Sequence, residues 1–213
     1  MKIKVCGVKD AESILQASKS GADYIGLHFY EESPANVLML PTYAGIIPDR
    51  GSLTLADIKN QPKRVGVFKD EMPQNIITRV VNFDLDIIQL NGHESPIIIR
   101  NLRSTINPDI KTNIEVWKAL DPTTESYTEY VDCVDAFIIN RRNEKFIQEY
   151  TGKKPFLLSG TFSENDINFI RSIRHPQFIG IDISYALDEE KDNYSMSKAM
   201  LFMEKTYALL KEN

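Results

Sequence analysis

Cys6 offers the most chemistry of any residue in this chain. It ends the stretch Lys2-Ile3-Lys4-Val5-Cys6-Gly7. Ile3 and Val5 fall on one face there, and Lys2, Lys4 and Cys6 on the other, as the two-residue period of a strand requires. The residue at the C-terminal end of such a strand faces the place where ligands bind, and a thiol populates its thiolate only beside positive charge. Lys4, two residues back on the same face, is the cation closest in sequence. An interior ammonium needs a counter-charge, and Asp182 in Ile181-Asp182-Ile183-Ser184 would face it if the last strand pairs with the first. The expectation is a Lys4–Asp182 ion pair beneath the thiol. A second group is Asn140-Arg141-Arg142, a neutral amide followed by two cations. Arg141 there either lines a binding mouth and takes an anionic group, for which guanidinium is suited, or is solvated together with Arg142. Cys133 is read as structural or exposed, and His28 and His175 as satisfied or solvated side chains. No His, Cys and Asp grouping has metal-ligand spacing.

Positioning these residues requires a repeated frame. After the first strand Asp10 is a plausible N-cap, and Ala11, Ile14, Leu15 and Ala17 recur at helical spacing. Strand, glycine turn and helix open a β/α unit, whose ligands bind beyond the C-terminal ends of the strands. Further strands are expected at Tyr24–Phe29, Arg64–Phe68, Asp86–Leu90, Ile114–Lys118, Val134–Asn140, Pro155–Leu158 and Phe178–Ile183. Helices are expected at Pro73–Val81, Ser95–Ile106, Thr124–Tyr130 (the weakest signal), Asn143–Tyr150, Ser163–Ile173 and Ser195–Lys211, with a short one over Leu53–Asn60. A long connection runs from Tyr30 to about Ser52, broken by Pro34, Pro41 and Pro48; loops of that length are usually functional or mobile. Strands that alternate with helices, without a hairpin signal, imply a parallel sheet. The fold class expected is α/β, a single (β/α)8 TIM barrel domain over residues 1–213. An open doubly wound sheet is the competitor, though it would rarely run to eight near-uniform units.

The balance of residues narrows the function. With 42% hydrophobic and 26% charged residues, the chain reads as an ordinary soluble globular protein. A net charge of -5 argues against nucleic acid or an anionic membrane as the main partner. No apolar run approaches the ~20 residues of a membrane span, and the start lacks a signal-peptide core. Two cysteines in 213 residues suit a reducing cytoplasm without a disulfide framework.

At the strand ends the motifs become specific. Lys-Val-Cys-Gly, Gly-Ala-Asp-Tyr-Ile-Gly, Arg-Val-Gly-Val-Phe, Ile-Gln-Leu-Asn-Gly-His-Glu, Leu-Ser-Gly and Ile-Asp-Ile-Ser follow in the order and rough spacing of phosphoribosylanthranilate isomerase, a family this chain resembles over nearly its whole length. The resemblance implies an Amadori rearrangement in tryptophan biosynthesis, converting an anthranilate-linked ribose phosphate to its 1-amino-1-deoxyribulose isomer without metal or cofactor. It implies a thiolate base at Cys6 that takes the sugar's C2 proton. It also implies an acid at the end of the sixth strand to protonate the ring oxygen, and a phosphate site at Ser159, Gly160 and Ser184. Gln89 falls in the retained fourth-strand motif, and Asp182 is the strand-end carboxylate retained with its own.

The chain departs from the family where chemistry is expected. Asn140 stands at the acid position, and an amide cannot deliver a proton and remain a stable anion. The arginine that holds the anthranilate carboxylate in the family has no counterpart in Ser33-Pro34-Ala35-Asn36. Thr161-Phe162 and Tyr185-Ala186 replace glycine-containing phosphate loops, where side chains obstruct close approach. Activity is therefore expected to be weak or absent. The alternatives are a non-catalytic paralogue kept as a binding or regulatory barrel, or an enzyme for another anionic small molecule. The partner expected is a small phosphorylated or anionic molecule, bound by a cytoplasmic monomer or homodimer.

Overall fold

A computed structural model of the 213-residue chain describes residues 1–8, 11–37, 62–184 and 196–211. The strands are β1 (Lys2–Cys6), β2 (Tyr24–His28), β3 (Lys63–Phe68), β4 (Ile87–Leu90), β5 (Glu115–Leu120), β6 (Ala136–Asn140), β7 (Phe156–Gly160) and β8 (Phe178–Ser184). The helices between and after them are α1 (Ala11–Lys19), α2 (Pro73–Phe83), α3 (Pro96–Ile106), α4 (Glu144–Glu149), α5 (Ile167–Ser172) and α6 (Met196–Lys211). Each strand pairs in parallel with the next and β8 returns to β1, closing the barrel. The ring excludes the open doubly wound sheet. Its closing register sets Lys4 opposite Asp182 and Cys6 opposite Ser184.

Two layers of apolar side chains hold this frame. The helix-facing layer takes the outward residues of the strands together with the inner stripes of the helices. Ile76, Val80 and Phe83 line that stripe on α2, and Ile99, Leu102 and Ile106 on α3. These are helical spacings of three and four, and burying each such side chain contributes roughly 1.5–3 kcal/mol. Proline opens both helices at a position where its missing N–H costs nothing. Ser95 caps α3 by accepting from the Ile98 N–H, and Asp84 ends α2 in a left-handed turn at φ 49°. The inner layer fills the barrel with Val65, Val67, Ile87, Trp117, Ala136, Ile138 and Leu157, and Cys6 sits on top of it. Trp117 meets Tyr24 edge to face with centroids 5.0 Å apart, so the interior is packed and not a pore.

Most expected elements recur with boundaries moved by at most two residues, and two differ. The helix expected over 124–130 is a single 3₁₀ turn at Tyr127–Glu129. Its approach is held in a side-chain turn, Asp121 accepting from the Thr123 N–H and hydroxyl, and Thr and Ser favour such local bonds over a helix. The segment 163–173 begins as a 3₁₀ turn, Glu164–Asp166, before α5. Ser163 and Asp166 cap that turn reciprocally. Asp10, the stretch 38–52, the short helix at 53–60 and Tyr185-Ala186 lie outside the described residues.

Candidate active site

The C-terminal rim is built by strand ends whose side chains alternate inward. Cys6 and Asn140 are the last residues of β1 and β6, so both stand on the same rim. Between them, Asn140 pairs with Ser159 across β6–β7, and Ser159 with Asp182 across β7–β8. Four expected site residues, Asn140, Ser159, Asp182 and Cys6, thus lie on consecutive strands around the ring. Ser184 completes the row by register with Cys6.

Beneath the rim the expected ion pair is present. The Lys4 Nζ lies 2.8 Å from Asp182 Oδ2, with side-chain exposures of 0% and 3%. The same ammonium donates to Cys6 Sγ at 3.0 Å. Burial alone would lower the Lys4 pKa, but the charge of Asp182 and the groups at Cys6 outweigh it and hold the ammonium above its usual value. The thiol goes the other way. Burial, reinforced by the Asp182 carboxylate, pushes it up to about 12 against the opposing pull of Lys4. Asp182 has spent the charge that would otherwise stabilise a thiolate. Gly26 lies opposite Cys6 in the β1–β2 register, and a Cβ there would sit 2.7 Å from the sulfur. Glycine therefore makes the room the thiol occupies.

His28, which the sequence reads as satisfied or solvated, is a neighbour of the thiol. Its Nε2 lies 2.9 Å from Cys6 Sγ and its Nδ1 2.6 Å from Ser33 Oγ. Burial and then the Lys4 charge lower its pKa to about 3, so the ring is neutral. Tyr30 stacks on it at 5.3 Å. The signal was available: His28 follows Gly26 by two residues at the end of β2, which puts it on Gly26's face, inside the barrel. The connection after β2 returns to hold it, since Val37 N–H donates to the His28 carbonyl at 2.8 Å.

Across the rim the remaining residues are engaged by the protein. Asn140 is exposed, and its Oδ1 accepts from the Arg142 N–H at 3.0 Å. The Arg141 guanidinium donates to the Thr161 carbonyl and to Asp166 and lies over the Phe162 ring at 5.0 Å. Its stem covers Gly160, where a Cβ would meet the Arg141 Cγ and Cδ at 2.8 Å. The guanidinium holds the Asp166 carboxyl down at about 2. Arg141 is thus held by the protein while partly exposed, and an anion would have to displace Asp166 from it. Phe162 is buried in the helix-facing layer. Gln89 is buried in the interior with its Nε2 donating to Asn91 Oδ1 at 2.9 Å, while its Oε1 finds no partner among the described residues. Among those residues no group of three His, Cys, Asp or Glu is placed to hold a metal ion, and no helix is long and apolar enough to cross a membrane.

Comparison with known proteins agrees with the barrel fold. The family model described as N-(5'-phosphoribosyl)anthranilate (PRA) isomerase matches residues 3–200. The enzyme of that name from Parabacteroides distasonis is 30% identical, over 96% of this chain and 92% of its own. The one from Phocaeicola vulgatus is 29% identical, over 86% and 87%. Among solved structures, the phosphoribosyl anthranilate isomerase of Thermus thermophilus superposes with a TM-score of 0.69 at 19% identity, over 98% of this chain and all of that one. A monomerised form of the dimeric isomerase from Thermotoga maritima gives 0.67 at 21% identity, over 98% of both chains. On the strength of the match across nearly its whole length, the chain belongs to the PRA isomerase family.

Proposed function

We propose that this barrel isomerises an N-aryl ribosylamine phosphate, the Amadori rearrangement of its family, at a rate reduced by the loss of the general acid. Cys6 is the base, taking the C2 proton once the sugar ring has opened. Asn140 stabilises the departing ring oxygen by hydrogen bonding but leaves water to protonate it. Phosphate is held by the β7 and β8 loops beside Ser159, Gly160 and Ser184, and the unpartnered Gln89 carbonyl oxygen accepts from the substrate. The observation that carries this reading is the thiol at the C-terminal rim, held by a buried lysine that a buried aspartate pairs.

The test is turnover of phosphoribosylanthranilate by the purified protein, followed by anthranilate fluorescence. Loss of a general acid costs about 100- to 10,000-fold. Asn140→Asp should therefore raise kcat by about 100-fold or more, and Cys6→Ala should abolish turnover. Undiminished turnover in Cys6→Ala would remove the reading.

One observation favours a second reading, a barrel that binds without turning over. Arg141 lies across Gly160 and is locked to Asp166, where phosphate has to approach. Saturable binding of the product ketose phosphate, with no turnover even in Asn140→Asp, would decide for it.

A further inference from the structure

A protonated thiol cannot act as a base until its own proton has somewhere to go. The donors and acceptors around Cys6 among the described residues point to where. Lys4 donates to the sulfur, so the thiol's single hydrogen is left to point at another acceptor. His28 Nε2 stands 2.9 Å away, and the ring is neutral. Nε2 then accepts, the ring hydrogen is on Nδ1, and it donates to Ser33 Oγ at 2.6 Å. Ser33, buried, also accepts from the Ala35 N–H at 3.1 Å and hydrogen-bonds Tyr30. Among the described residues this placement gives each ring nitrogen of His28 a partner, and the backbone of the β2 connection anchors the far end.

We propose that His28 is the proton acceptor of Cys6, with Ser33 fixing the tautomer that lets it accept. The inference rests on Cys6 being the base of the proposed isomerisation. In the step, the S–H bond breaks, its electron pair stays on sulfur, and the proton bonds to the Nε2 lone pair. The thiolate next takes the C2 proton and becomes a thiol again. The imidazolium returns its proton to water, and ring opening consumes one from water, so the count closes. Thiolate and imidazolium 2.9 Å apart attract each other in a poorly solvated site, which offsets part of the cost of separating charge. Among the described residues, the other ionisable groups against the thiol and the ring are Lys4 on β1, Asp182 on β8 and Tyr30 after β2. Lys4 is shifted upward, as is Tyr30 by its burial, so neither titrates in the window used below.

The test reads the thiol directly and needs no turnover, so it stands or falls apart from the isomerase assay. Iodoacetamide alkylation of Cys6 is followed between pH 5 and 7 in the Cys133→Ser background and with His28→Gln added. Glutamine retains an acceptor for the thiol hydrogen and a donor for Ser33 but cannot take a proton. With internal transfer to His28 the rate is independent of pH over this range. In His28→Gln the proton leaves to solvent and the rate rises about tenfold per unit, which leaves it about 100-fold slower at pH 5. Equal slopes in the two proteins would overturn the proposal. If the variant fails to fold or the reagent fails to reach the sulfur, nitrogen-15 NMR of the unsubstituted protein decides. A His28 ring protonated at Nδ1 and bare at Nε2 supports the proposal, and the opposite tautomer refutes it.

Discussion

Lys4→Met is the sharpest probe of the frame beneath the site. Methionine nearly preserves the volume of the lysine stem, so little packing is lost and the charge alone is removed. Asp182 would then keep a carboxylate exposed by only 3% with neither oxygen satisfied, because Oδ1 has no partner among the described residues even now. Breaking a buried pair by removing one partner costs about 3–5 kcal/mol. For a chain of this size that is a fall in Tm of about 6–20 °C. The assay is urea unfolding followed by circular dichroism at pH 7, with Lys4→Met/Asp182→Leu as the compensating variant. The double variant removes both charges and should recover most of the loss, since an apolar pair of similar volume is often neutral or better. A single-variant loss under about 1 kcal/mol, the scale of an exposed pair, would refute the argument that this is a structural charge pair.

Two further outcomes follow from the same geometry. Gly26→Ala puts a methyl 2.7 Å from the sulfur and 3.2 Å from the Cys6 Cα; overpacking of this kind costs about 1–3 kcal/mol. Thermal unfolding should show that loss together with a changed alkylation rate at Cys6, and an unaltered rate would mean that the thiol does not sit against Gly26. His28 titrates near 3 when folded and near its ordinary value when unfolded, so its contribution is intact above about pH 6.5 and is lost as pH falls from there toward 3. Within that window stability should drop by up to about 1.4 kcal/mol per pH unit, and His28→Gln should flatten the slope in urea titrations. An identical slope in the variant would show that the ring is not held neutral.

The order of strands, the kinship and the identity of the thiol were legible in the chain because each rests on local pattern. Alternation in Lys2–Cys6 and the glycine turn after it need no knowledge of distant residues. The Lys4–Asp182 pair was legible too, once closure was assumed, since strand parity and the barrel's seam leave each charge one place to go. The helix expected at 124–130 failed for a local reason: hydroxyl and carboxylate side chains from Asp121 to Thr128 satisfy the backbone and one another better than a helical turn would.

What only the tertiary structure decided is which side chains meet across strands, because a slip of one residue in register would turn every contact to the opposite face. His28 became the partner of Cys6 through the β1–β2 register and the return of the β2 connection over Ser33. Arg141, expected either at an open mouth or in solvent, was drawn onto Gly160 and Asp166 because β6 and β7 are neighbours and glycine leaves space for its stem. The sequence by itself determined the family, the barrel and the place of the thiol at its rim. The His28 ring against that thiol, and the arginine lying across Gly160, are properties of the closed ring.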